Sequence, residues 1–135
     1  MNPQKISLAV RDDLATWQKL NVTAFLTSGL GTVRPDVIGA PYFDRDGRSY
    51  PPMLSTPVRV FAGDQAALRR GFDRALGRGL LVSVYTDEMF MTMNDEDNRS
   101  AVAEVATAEL TIAGFVAVGD SKQVDKALDK LKPHG

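Results

Sequence analysis

The segment from Leu80 to Tyr85 (LLVSVY) constrains the fold more than any other stretch of the chain. In an extended strand, successive side chains point to opposite faces, and here nearly all of them are apolar on both. Such a strand has no side to offer to water. It belongs in a sheet that is covered on both faces, and helices are the usual cover when strands alternate with helical segments.

That alternation runs through the sequence. Lys5 to Arg11 alternates polar with apolar residues, holds β-branched side chains and ends in the charged group Arg11, Asp12 and Asp13, which predicts a first strand. Thr16 is the expected cap of a helix from Trp17 to about Leu30, with apolar residues on more than one face, as burial on two sides would require. Pro57 to Ala62 predicts another strand. Gly63 and Asp64 open a helix in which Ala67, Leu68, Phe72, Ala75 and Leu76 share one face, and Gly77 and Gly79 close it. After Tyr85, the acidic run from Asn94 to Asp97 starts a helix to about Ala106. A last strand spans Leu110 to Val118, and Ser121 caps a final helix with Val124, Leu128 and Leu131 facing inward. Between Arg34 and Pro57 the turn-rich stretch places Tyr42 and Phe43 opposite Ser49 and Tyr50 around Asp44 to Gly47, an inserted hairpin at positions 39–56. The resulting expectation is an α/β fold, a three-layer α/β/α sandwich whose central sheet is mostly parallel with about four strands. The hairpin and the extra helix at 94–106 interrupt a single domain over residues 1–135.

Composition narrows the function classes. At 135 residues, with 44% apolar and 24% charged residues, the chain suits one core. No apolar run approaches the roughly 18 residues that a membrane span needs. Sixteen basic against seventeen acidic residues give a net charge of −1, so any contact with RNA must be local. The absence of cysteine and of a secretion-signal pattern predicts a cytoplasmic protein. With no cysteine, and with the one histidine, His134, in a tail expected to be mobile, neither a zinc centre of the usual ligands nor a Ser-His-Asp triad is expected. Gly29 and Gly31 follow a helix and lack a third glycine, so no nucleotide cofactor is assigned. Asp44, Asp46 and Gly47 imitate a calcium loop, but Ser55 stands where its last acidic ligand would be, and the segment reads as a turn.

Ligands of open α/β sheets gather at the carboxyl ends of strands, which here deliver Arg11 to Asp13 and Thr86 to Glu88. Lys19, in the first helical turn beside Asp12 and Asp13, is of the type that positions water or stabilises an oxyanion, although a lysine snorkelling beside Trp17 is the commoner arrangement. Asp87 is likewise a turn cap by default. Met89, Met91 and Met93 beside Phe90 form either a soft lid or a gap-filling cluster. Arg70, Arg74 and Arg78 recur every four residues as a basic stripe, either a phosphate-receiving patch or, more commonly, a solvated helix face.

The run from Lys5 to Leu14 (KISLAVRDDL), followed by Trp17 to Leu20, resembles the opening of type 2 peptidyl-tRNA hydrolases. Leu81 to Asp87 resembles their third strand and its aspartate, and Ala117 to Asp120 with Val124 to Lys126 resembles their closing strand and helix. The likeness is closest, through Trp17 to Leu26 and Tyr85 to Phe90, to a mainly bacterial family of unknown function grouped with that fold. The resemblance implies Lys19 and Asp87 as catalytic residues and a homodimer. Gly114 aligns with the hydrolases' site threonine, and Glu88 to Met91 replaces their Ala-Gly-x-Thr-Gln loop. Two readings follow. One is a hydrolase of acyl or peptidyl conjugates, including those of RNA, with Lys19 and Asp87 orienting water and Arg11 and Asp13 lining the substrate site. The other is a non-catalytic domain for a small ligand, its pocket built from Trp17, Met89, Phe90 and the hairpin aromatics Tyr42, Phe43 and Tyr50.

Overall fold

The structure, a computed structural model, describes residues 2–135. Strands β1 (Gln4–Arg11), β4 (Val58–Gly63), β5 (Leu81–Thr86), β6 (Ile112–Asp120) and β7 (Lys132–Pro133) form one sheet in the order β5-β6-β1-β4-β7. The short β2 (Tyr42–Phe43) and β3 (Ser49–Tyr50) pair separately as the expected hairpin, held by Asp44, whose carboxylate accepts from the Asp46 and Arg48 N–H groups and the Tyr50 hydroxyl.

The sheet is mixed, and the expected mostly parallel arrangement of about four strands is corrected: five strands pair, and only β1 with β4 runs parallel. Strand β6 inserts antiparallel between β1 and β5, and β7 runs antiparallel on the edge of β4. The apolar patterns of β5 and β6 record burial on two faces, which is the same for either strand direction.

Helices cover both faces. Helix α1 (Thr16–Ser28) and the short α2 (Leu30–Val33) lie on one side, where Val22, Leu26, Leu30 and Val37 pack on Ile6, Leu8, Val10, Val116 and Val118. On the other side α3 (Gln65–Gly77) and α5 (Ser121–Ala127) bring Leu68, Phe72, Ala75 and Val124 against Ala9, Phe115 and Ala117. Helix α4 (Asp95–Ala103) is capped by the Asn94 side chain, ends before the expected Ala106 and buries no residue.

Four local expectations change. Helix α1 was expected to be buried on two sides, but Trp17, Leu20 and Phe25 remain 62%, 65% and 55% exposed. As an outer-layer helix it has the sheet below and no layer above. Thr16 is the first residue of α1 rather than its cap; at the preceding residue the Ala15 N–H donates to Gln18 Oε1. Asp120, not Ser121, caps α5 by accepting from the Gln123 N–H. The tail is also not loose, because β7 ties it to β4 and the His134 N–H donates to Val60 O at 2.9 Å. Among the described residues no helix is long and apolar enough to cross a membrane.

Candidate functional site

Strands β1 and β5 run in the same direction on either side of β6, so their carboxyl ends meet at one edge. A β-bulge sits there: Tyr85 faces Gly114 and Thr86 faces Ile112, leaving Ala113 as the extra residue of β6. Bulges re-aim side chains at such edges. Arg11, with only 11% of its side chain exposed, reaches across the start of β6. Its Nε donates to Asp13 Oδ1 at 2.7 Å and its Nη1 to Asp87 Oδ1 at 2.7 Å and to Ile112 O at 3.3 Å. Burial opposes the charge on Arg11, but the hydrogen bonds and charges of Asp13 and Asp87 outweigh it and hold its pKa above the ordinary value. The neighbouring Glu88 carboxyl is held below the usual range, first by its backbone N–H and then by the Thr111 hydroxyl, which donates at 2.8 Å.

The cluster is therefore a closed charge arrangement, with one cation shared between two carboxylates. Arg11→Met leaves both aspartates without their cation. Because Asp13 and Asp87 are substantially exposed, the expected loss is about 1 kcal/mol in chemical denaturation. A variant as stable as the wild type would show that the pairs contribute nothing net.

The first turn of α1 separates the remaining candidates. Residues two apart on an α-helix point about 200° apart, so Trp17 and Lys19 leave on opposite flanks. Trp17 meets Phe90 edge-on at a centroid distance of 6.2 Å. Phe90 meets Tyr85 at 5.0 Å, and Tyr85 meets Phe25 at 6.1 Å. These rings and Met89 bound a cleft of about 250 Å³ that also takes in Asn21 and Asn98. Burial pushes the Tyr85 phenol up, so it stays a neutral wall. Lys19 instead faces His134, with Nζ 3.3 Å from Nε2.

The structure thus joins Arg11, Asp13 and Asp87 in one cluster and Trp17, Met89 and Phe90 in one cleft. Lys19 and Asp87 have different partners and share no contact. The hairpin aromatics Tyr42, Phe43 and Tyr50 lie exposed and outside the cleft lining. Met91 and Met93 are exposed too, so Met89 is the methionine that fills the expected gap. The arginine stripe is partly spent internally: Arg74 donates to Ala127 O and Arg78 to Gln123 Oε1. Among the described residues no group of three or more acidic or histidine side chains is placed to hold a metal. Asn21, Phe25, Tyr85 and Asn98 were not singled out from sequence, although Trp17, Asn21 and Phe25 follow the four-residue spacing of one helix stripe.

Fold and site together define an α/β protein with a mixed sheet covered by helices on both faces, and with an aromatic cleft beside an arginine–carboxylate cluster. The DUF2000 family, described as a protein of unknown function, matches residues 4–134, and the chain belongs to it. A solved structure of a protein of unknown function from Agrobacterium tumefaciens is similar over 100% of both chains, at 41% identity and a TM-score of 0.94. No curated protein matches the chain.

Proposed function

We propose that the protein is a small-ligand-binding domain on the framework of the type 2 peptidyl-tRNA hydrolases it resembles, cytoplasmic as its lack of cysteine suggests and homodimeric as the resemblance implies. The observation that carries this reading is the connected series of rings Trp17, Phe90, Tyr85 and Phe25, which leaves an aromatic face open to solvent beside the amides of Asn21 and Asn98. An apolar wall with a few polar groups is how small-molecule sites are usually built. At about 250 Å³ the cleft is smaller than the roughly 300–1,000 Å³ of drug-sized pockets, which favours a flat ligand of one or two rings. The nearby amides favour a neutral ligand with hydrogen-bonding groups.

Hydrolysis of an acyl or peptidyl conjugate would need Lys19 and Asp87 to act on one water. Their engagement by His134 and Arg11, on different flanks of α1, weighs against it. So does Gly114, which offers no hydroxyl where the hydrolases have their threonine.

The test uses the chain's single tryptophan, which lies in the cleft. Titration with benzamide, quinolone and indole-3-carboxamide is expected to change Trp17 emission saturably for at least one compound and to raise its melting temperature. A ligand at 100 times its Kd adds about 2.7 kcal/mol to stability. Phe90→Ala is expected to weaken that ligand about tenfold through loss of an aromatic wall worth roughly 1 kcal/mol. If no compound alters emission or melting while labelled peptidyl-tRNA is turned over, the hydrolase reading replaces this one.

A further inference from the structure

On the flank of α1 opposite the aromatic cleft lies a second hollow, of about 350 Å³. Val10 of β1 and Val60 of β4, on adjacent parallel strands and two residues apart in register, line it with Leu20 of α1. Two nitrogen-bearing side chains face it, Lys19 from the first turn of α1 and His134 from beyond β7. They come together from 115 residues apart because β7 pairs with β4 and the His134 N–H is fixed to Val60 O.

The hydrogen-bond pattern decides how this pair is poised. His134 Nδ1 lies 2.8 Å from Gly135 O, an oxygen that can only accept, so Nδ1 carries the proton and donates. Nε2 is then the bare nitrogen and accepts from the Lys19 ammonium at 3.3 Å. One of the three ammonium donors is used in this way, and two remain. None of the ion pairs among the described residues includes Lys19, although Lys5, in contrast, is paired with Asp125. No carboxylate lines the hollow. The positive end of the α1 dipole adds to the same field, since Lys19 sits in the first turn. Thr16, one turn before Lys19 on the same side, brings a hydroxyl to the rim.

A cation with two free donors, no ion pair among the described residues and an apolar floor fits a ligand that has a negative head and an apolar body. We infer that this hollow binds a short organic monocarboxylate, its carboxylate on Lys19 Nζ beside His134 and its hydrocarbon part on Val60 and Leu20, over the buried Val10. Charge-assisted hydrogen bonds from the ammonium fix the head, and burial of methylene groups supplies affinity without orientation. The inference does not depend on the aromatic cleft, which shares none of these residues.

His134 is the only histidine, so its ring protons give one unambiguous set of NMR signals in the full-length protein. Titration with hexanoate is expected to shift those signals saturably, and hexanamide, which keeps the body and loses the charge, is expected to do so at least about tenfold more weakly. Lys19→Met keeps an unbranched apolar stem at a half-buried position and is expected to weaken hexanoate by a similar factor, about tenfold. Leu20→Ser keeps the charge and is expected to reduce hexanoate affinity a few-fold through loss of apolar contact. Equal binding of hexanoate and hexanamide, or unchanged hexanoate binding in Lys19→Met, would overturn the site. Inorganic phosphate competing as well as hexanoate would overturn the assignment to a carboxylate with an apolar body. No saturable shift up to roughly 10 mM hexanoate, weaker than any ordinary metabolite site, would overturn the proposal as a whole.

Discussion

Replacing Gly114 by threonine is expected to destabilise the protein by roughly 3 kcal/mol, at the upper end for overpacking, and to restore no hydrolase activity. The position is the one that aligns with the site threonine of the type 2 peptidyl-tRNA hydrolases, so the exchange looks at first like a reversion. The packing argues otherwise. A Cβ added at Gly114 would lie 2.6 Å from Val22 Cγ1 and 2.9 Å from Ala9 O, with Leu26 Cδ1 at 3.5 Å. Val22 is fully buried on α1. Ala9 O belongs to the backbone of β1, where β6 pairs with it, and cannot retreat without opening the centre of the sheet. The absence of a side chain at 114 therefore lets α1 lie close on β6, and the same approach places Trp17, Asn21 and Phe25 against Tyr85 and Phe90. Thermal and denaturant unfolding would check this, with Gly77→Ala as the control, because a Cβ there meets nothing within 4 Å. The control is expected to be neutral or stabilising by up to about 1 kcal/mol. A Gly114→Thr protein that melts with the wild type would show that α1 can shift outward, and would reopen the hydrolase reading.

Much of this architecture was legible in the sequence because local periodicity reports burial. The two-sided apolar run of β5 announced cover on both faces, and the stripe of Ala67, Leu68, Phe72, Ala75 and Leu76 on α3 announced its inward side; Leu68, Phe72 and Ala75 are buried there, Ala67 is half-buried and Leu76 is exposed. Strand direction was not legible. Residues buried on both faces give the same apolar run whether the neighbour is parallel or antiparallel, so β6 could be recognised as a strand but not placed between β1 and β5. The edge strand β7 was hidden for a different reason. It has two residues and contains Pro133, which lacks an N–H donor and suits only an edge. Missing β7 meant missing the fixed position of His134 and hence the partner of Lys19. The cluster at the strand ends was easier, since Arg11, Asp13 and Asp87 terminate recognisable strands. Which of them pair, and that Lys19 turns away from Asp87, depended on the 200° between Trp17 and Lys19 together with the long-range course of the tail.

The second large effect is expected at Phe115. Its ring is fully buried at the centre of the layer formed by α3 and α5, edge-on to Phe72 at 5.9 Å. Helix α3 approaches it through Gly71, where an added Cβ would come within 3.1 Å of Phe115 Cζ, so neighbouring groups already fit closely around the ring. Removing it in Phe115→Ala deletes the transfer energy of the aromatic group and leaves a cavity that backbone this close-packed cannot collapse into. The expected loss is about 3–5 kcal/mol. Denaturant unfolding would measure it, and a loss below about 1 kcal/mol would mean that α3 and α5 relax inward and that the layer is not packed as described. The consequence for function has the opposite sense. Adjacent residues of β6 face opposite layers, and the aromatic cleft lies on the α1 side of the sheet, away from Phe115. In the folded fraction of Phe115→Ala, a ligand that quenches Trp17 is therefore expected to retain its wild-type midpoint. Stability and cleft would then be shown to be separable across a single sheet, and a shifted midpoint would instead show that the second layer positions the first.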